Sequence, residues 1–191
     1  MKYLRLILPA VLTSLGIVAL AQSDAQKSID KPVLSDAQKS FTQLKTLAGS
    51  WKASVTTDPP MPQMGNGATA KVSLRVTSRG NALVHEMQEF GKPDDPEHAD
   101  HPVTMLFVDS DHLFLTHYCD AGNRPRMVAR TSPDGKTVEF DFLDLSGGTQ
   151  HGHMHHAVFT IIDSNHHIED WTYMMPGDKP IHARLDLQRT Q

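Results

Sequence analysis

Cysteine is nearly absent from this chain of 191 residues: Cys119 is the only one. One thiol cannot close an internal disulfide, so the fold must be held by a hydrophobic core. An excess of basic charge is also missing. Lys and Arg number 18 against 22 Asp and Glu, a net charge of −4. That balance argues against a nucleic-acid-binding surface, which needs a basic patch. Aromatic residues make up only 6%. Beyond the first 21 residues no apolar run is long enough to span a bilayer, which takes about 20 residues. Gly-x-Ser-x-Gly, His-Glu-x-x-His and phosphate-loop patterns do not occur, so no standard hydrolase or nucleotide signature is present. What the chain does have is histidine and methionine, 12 and 9 respectively. Apolar residues at 39% and charged residues at 21% fit a globular protein with one core.

Residues 1–21 read as a secretory signal peptide. Lys2 and Arg5 precede an apolar run from Leu6 to Leu20, broken by Pro9, Thr13, Ser14 and Gly16, and Ala19-Leu20-Ala21 supplies small residues for cleavage. The expected location is therefore periplasmic or secreted, with no membrane span once the signal is removed. Residues 22–40 form a polar linker in which Ser-Asp-Ala-Gln-Lys-Ser occurs twice, at 23–28 and 35–40. The second copy leads into a short helix. Ser35 caps it, Phe41, Leu44 and Leu47 share a face, and Gly49 can end it.

From Trp51 the period changes to two. Ala70, Val72, Leu74 and Val76 alternate with Lys71, Ser73, Arg75 and Thr77. Val138, Phe140 and Phe142 alternate with Glu139 and Asp141, and Ile181, Ala183, Leu185 and Leu187 with His182, Arg184 and Asp186. Ten strands follow from this pattern: 51–57, 68–78, 82–90, 104–109, 112–119, 126–131, 137–143, 153–162, 167–174 and 181–188. Arg79-Gly80-Asn81, Ala121-Gly122-Asn123, Pro133-Asp134-Gly135, Ser164-Asn165 and Pro176-Gly177-Asp178 are turn chemistry between them. Each strand has one apolar and one wet face, as in an antiparallel sheet. Ten such strands leave two open edges unless the sheet closes. The expected fold is all-β, a ten-stranded antiparallel up-and-down barrel occupying residues 41–191, with a short N-terminal helix. A barrel this wide leaves room for a ligand cavity.

A short helix followed by Gly49-Ser50-Trp51 resembles the start of the lipocalin and fatty-acid-binding superfamily, the calycins. In those proteins the Trp crosses the barrel base and a basic residue of the last strand packs on its ring. The resemblance implies that role for Arg184 or Arg189. The stretches Leu115-Thr116-His117-Tyr118-Cys119, Gly122-Asn123-Arg124-Pro125-Arg126-Met127 and Gly152-His153-Met154-His155 are similar to exported bacterial lipocalin-like domains of unknown function. Nitrobindins, which hold haem, and periplasmic zinc-binding barrels are more distantly similar. A shared fold does not carry their functions over.

Residues two apart on a strand share a face. His153 and His155 therefore form one candidate dyad, and His117 and Cys119 a second. Imidazole and thiolate suit zinc or copper. Met127, expected roughly opposite His117 across the 121–123 turn, would favour copper. The two dyads lie on strands about 14 Å apart along the sheet, so they are two groups on one cavity rather than one four-ligand site. Glu169 is a further acid; the Ser164-Asn165 turn places it near Thr160, and Tyr173 or Met174 near His155. His98, His101, His166 and His167 sit among turn residues and read as surface. Met61-Pro62-Gln63-Met64 reads as a lid over the mouth. The leading expectation is an exported barrel binding a small apolar molecule, with His117, Tyr118, Cys119, Met127, His153 and His155 as its polar lining and a transition metal or haem as its cofactor. The alternatives are a metal- or His-assisted hydrolase or isomerase using His117, Tyr118 and His153 or His155, and a non-catalytic envelope protein with a plugged barrel.

Overall fold

The computed structural model describes residues 33–61, 67–89, 94–95, 97–131 and 135–190. The expected signal peptide, most of the polar linker, and residues 62–64 of the proposed lid lie outside them. The first element, α1 (Asp36–Lys45), begins where the sequence places it. Ser35 Oγ accepts the Gln38 backbone N–H, and Gln38 returns a bond to the Ser35 N–H, a complete capping box. Helical geometry ends at Lys45, with Thr46 as the C-cap. Gly49 does not end the helix: at φ 144° it opens the first strand.

Ten strands follow: β1 (Gly49–Asp58), β2 (Thr69–Thr77), β3 (Ala82–Glu89), β4 (Val103–Asp109), β5 (His112–Tyr118), β6 (Arg124–Thr131), β7 (Thr137–Ser146), β8 (His153–Asp163), β9 (His166–Met175) and β10 (Lys179–Arg189). Each pairs antiparallel with the next, and β10 pairs with β1, for example Val55 with Leu185, so the barrel is closed. Closure leaves no edge strand. Most of the alternating apolar residues turn inward, though Val76 is exposed. Trp51, Ala53, Val72, Leu74, Leu83, Leu106, Leu115, Met127, Phe140, Phe159 and Leu187 form one buried cluster.

Phe41 and Leu44 of α1, with Leu47 just beyond it, join that cluster. The helix packs beside β2, β4, β5 and β6, at the end of the barrel where β1 begins and β10 finishes. Trp51 closes the base, with its indole N–H bonded to Leu47 O at 2.8 Å. Of the two basic residues expected on its ring, Arg189 takes the place, 4.1 Å from the ring centroid. Its guanidinium also donates to Thr46 O, Ala48 O and Ser164 O. Arg184 points outward and pairs with Asp170.

Candidate functional site

The inward faces of β3, β4, β5 and β9 interrupt the apolar core with polar groups. His85, Thr104, His117, His167 and Glu169 are all buried, and Glu169 is fully excluded from solvent. Register explains the grouping. Leu83, His85 and Met87 share the inward face of β3. His85 pairs with Thr104, and Thr104 with His117, so these three form a row across three strands. On β9 the inward set is His167, Glu169, Trp171 and Tyr173.

Glu169 is the centre of the array. Its Oε2 accepts from His85 Nε2 and from Trp171 Nε1, each at 3.0 Å, and its Oε1 accepts from His167 Nε2 at 3.0 Å. Burial opposes ionisation of this carboxyl. The positive potential of His85 and hydrogen bonds from His167 and His85 outweigh it and hold the group well below the usual carboxylate range. His117 is tied through Nδ1 to Thr104 Oγ1 at 2.8 Å. Burial, reinforced by His85, lowers its pKa to about 4, so its ring is neutral at pH 7. The Trp171 ring lies between the two imidazoles, 5.7 Å from His85 and 5.8 Å from His117. Among the described residues His167 Nδ1 has no hydrogen-bond partner, and its ring packs edge-on to Trp51 at 4.2 Å.

Toward the open end, a cavity of about 260 Å³ is lined by Val55, Ala68, Ala70, Met87, Pro102, Ala183 and Leu185, with Thr69, Gln88 and Asp100 as its polar members. It is hollow because β10, β1 and β2 present alanine and valine where bulkier side chains would fill the centre. Its lining adjoins the polar array. Met87 is two residues from His85, and Ala183 and Leu185 are the cross-strand partners of Trp171 and Glu169.

The expected site residues separate into three places. His117 enters the barrel interior. Tyr118, its neighbour, faces the opposite way and is 43% exposed. It lines an outer groove with Arg124, Arg126 and Asp144. Expected as cavity lining, Tyr118 instead lies on the outer wall. Met127 pairs with Leu115 rather than His117 and is wholly buried in the core. Cys119 lies just past the end of β5, so the two-apart rule does not extend to it. Burial, with Asp100 and Asp120 nearby, raises its thiol pKa, which disfavours the thiolate a metal needs.

His153 and His155 do meet. His153 Nε2 lies 3.1 Å from His155 Nδ1, and both rings pack on Phe142. They do not converge with His117 and Cys119. Among the described residues, the group of three whose ligand atoms lie within 4.8 Å of one another is Glu139, Asp141 and His156. It sits on the outer wall, where the Arg130 guanidinium is already paired with both acids. Haem fits the described cavity poorly, since no imidazole lines it and a space of about 150 Å³ is already filled by benzene alone.

His85 was not singled out by the sequence, and the surface reading of His167 is corrected: it is completely buried. Glu169 pairs with Phe159 instead of Thr160, and Tyr173 with Met154, because bulges at 154–156 and 161–163 shift the register. The signal for all three was their period. His85 alternates with Leu83 and Met87, and His167 and Glu169 with Trp171.

The architecture has counterparts among solved structures. Rv2717c from M. tuberculosis superposes with a TM-score of 0.57 at 13% identity, over 80% of this chain and 98% of that one. The chain is an all-β, calycin-like barrel. A protein of unknown function from the DUF3598 family of Nostoc punctiforme reaches a TM-score of 0.47 at 10% identity, over 84% of this chain and 51% of that chain. A variant of the fluorescent protein UnaG reaches 0.30 at 10% identity, over 78% and 99%. No family model matches the chain, and no curated protein does.

Proposed function

We propose that this protein is an exported carrier or sensor of a small, largely apolar molecule held in the barrel mouth. The observation that carries the reading is the 260 Å³ cavity walled by Val55, Ala68, Ala70, Met87, Ala183 and Leu185. Its size suits one or two fused rings, given that benzene occupies about 150 Å³. Burying apolar ligand surface against such a wall contributes about 25 cal/mol per Å². Export rests on the basic start, apolar run and small-residue cleavage site of residues 1–21.

The test is a titration with 2-naphthol, followed by the fluorescence of Trp171, whose strand partner Ala183 lines the cavity. Saturable binding is expected, weakened at least ten-fold by Ala70→Phe. Equal affinity in the filled variant, or no saturable binding at all, overturns the reading and leaves the plugged-barrel alternative.

A further inference from the structure

We infer that His153 and His155 form a two-imidazole chelate for a divalent transition-metal ion, which holds copper(II) more tightly than zinc(II). The facing nitrogens, His153 Nε2 and His155 Nδ1, are 3.1 Å apart. Two nitrogens bound at about 2.0–2.1 Å to one ion are separated by roughly 2.9 Å when cis in a square plane and by roughly 3.4 Å in a tetrahedron. The observed spacing falls between the two. The pair therefore matches an ion in spacing, and the rings turn so that both lone pairs meet at the ion instead of along the line between the nitrogens. The contact needs a proton on one of the facing nitrogens. Metal entry requires only that this ring carry its proton on the other nitrogen, so both rings stay neutral and none is lost.

The pair is held from several sides. Strand β8 bulges here: Met154 pairs with Tyr173 and His156 with Thr172, leaving His155 as the extra residue. Phe142 stacks on His155 at 4.8 Å and 17° and lies 4.9 Å from His153. The loop entering the strand is pinned by Asn123 Nδ2, which donates to Gly148 O and Gly152 O, and by the Tyr173 hydroxyl, which donates to His151 O at 2.6 Å. Gly152 runs at φ +87° against the Met174 carbonyl, with no room for a Cβ. Both imidazoles are partly exposed, so an ion can reach them and keep open positions for water or another ligand. The Asp178 carboxylate acts on His153 from the β9–β10 turn and adds favourable charge. Copper(II) leads because nitrogen sites follow the Irving–Williams order.

The rival is the outer group of Glu139, Asp141 and His156, where an ion would have to displace Arg130 from both acids. The experiment titrates the full chain with copper(II) sulfate and then zinc(II) sulfate by calorimetry, with glycine as competitor to strip weak surface sites. Electron paramagnetic resonance of the copper form counts bound nitrogens. One ion per chain and two-nitrogen hyperfine structure are expected. His153→Ala and His155→Ala should each weaken binding at least ten-fold, and His156→Ala should leave it unchanged. His155→Gln, which keeps a polar side chain packed beside Phe142, guards against misfolding in the alanine variants and should weaken binding equally. Unchanged affinity in His155→Gln or the double alanine variant, or loss on His156→Ala instead, overturns the inference. The 2-naphthol titration on the same variants is expected to be unaffected, so the two readings fail separately.

Discussion

Glu169 shows how one side chain sets the character of the interior. A carboxylate with no solvent contact is tolerable only because three N–H groups converge on its two oxygens. Removing the acid leaves His85, His167 and Trp171 without their acceptor, so Glu169→Ala is expected to cost about 3–5 kcal/mol. Chemical denaturation measures it. Glu169→Gln keeps one acceptor oxygen and should cost less. His117 makes a prediction in pH. Its folded pKa of about 4 lies below the unfolded value near 6.5. The unfolded chain therefore takes up a proton first, and stability falls as pH drops from about 6.5 to about 4. The full loss from this group is about 3 kcal/mol. Glu169 acts in the same direction at lower pH: its depressed folded pKa gives stability that is present above about 4.3 and is lost as pH falls further. Melting temperatures between pH 7 and pH 4 should decline, and His117→Asn should flatten that slope. An equally steep profile in the variant would show that His117 is not the titrating group.

Among the elements, α1 owes its start to Ser35 and its attachment to Phe41, Leu44 and Leu47. Loss of the cap in Ser35→Ala should cost about 1 kcal/mol, measured by denaturant midpoint. Arg189 links three elements: it lies on the Trp51 ring and satisfies carbonyls at 46 and 48 after the helix and at 164 before β9. Strand β8 depends on Gly152 in another way. A Cβ there would lie 2.4 Å from Met174 O at a positive φ. Gly→Ala at a compatible site stabilises by up to about 1 kcal/mol; at Gly152 it should instead destabilise the protein by more than that. It should also separate His153 from His155, which the copper titration would register.

At the level of the whole molecule, the β1–β10 pairing from Trp51–Arg189 to Asp58–His182 converts an open meander into a barrel. Deleting residues 179–191 would expose two sheet edges and the Trp51 base. The expected result is insoluble or aggregated protein, read by light scattering. A soluble, monomeric truncation would show that closure is not what holds the fold. The described residues contain no helix long and apolar enough to cross a membrane.

The strands, their order and the closed barrel were legible in the sequence, because alternation with period two is a local property and short turns force neighbours to pair. The resemblance of Gly49-Ser50-Trp51 to the calycins narrowed the residue over Trp51 to Arg184 or Arg189, and the structure places Arg189 there. The polar array was not legible. Alternation shows that His85 and His167 share a face with apolar residues, but only closure shows that this face meets another across the barrel, where Glu169 can reach two imidazoles. The register of β8 escaped for a related reason. A bulge is a tertiary compromise between strand twist and barrel curvature, and it set Glu169 opposite Phe159 and Tyr173 opposite Met154. Sequence determined which residues line each strand; the closed three-dimensional wall decided which of them touch.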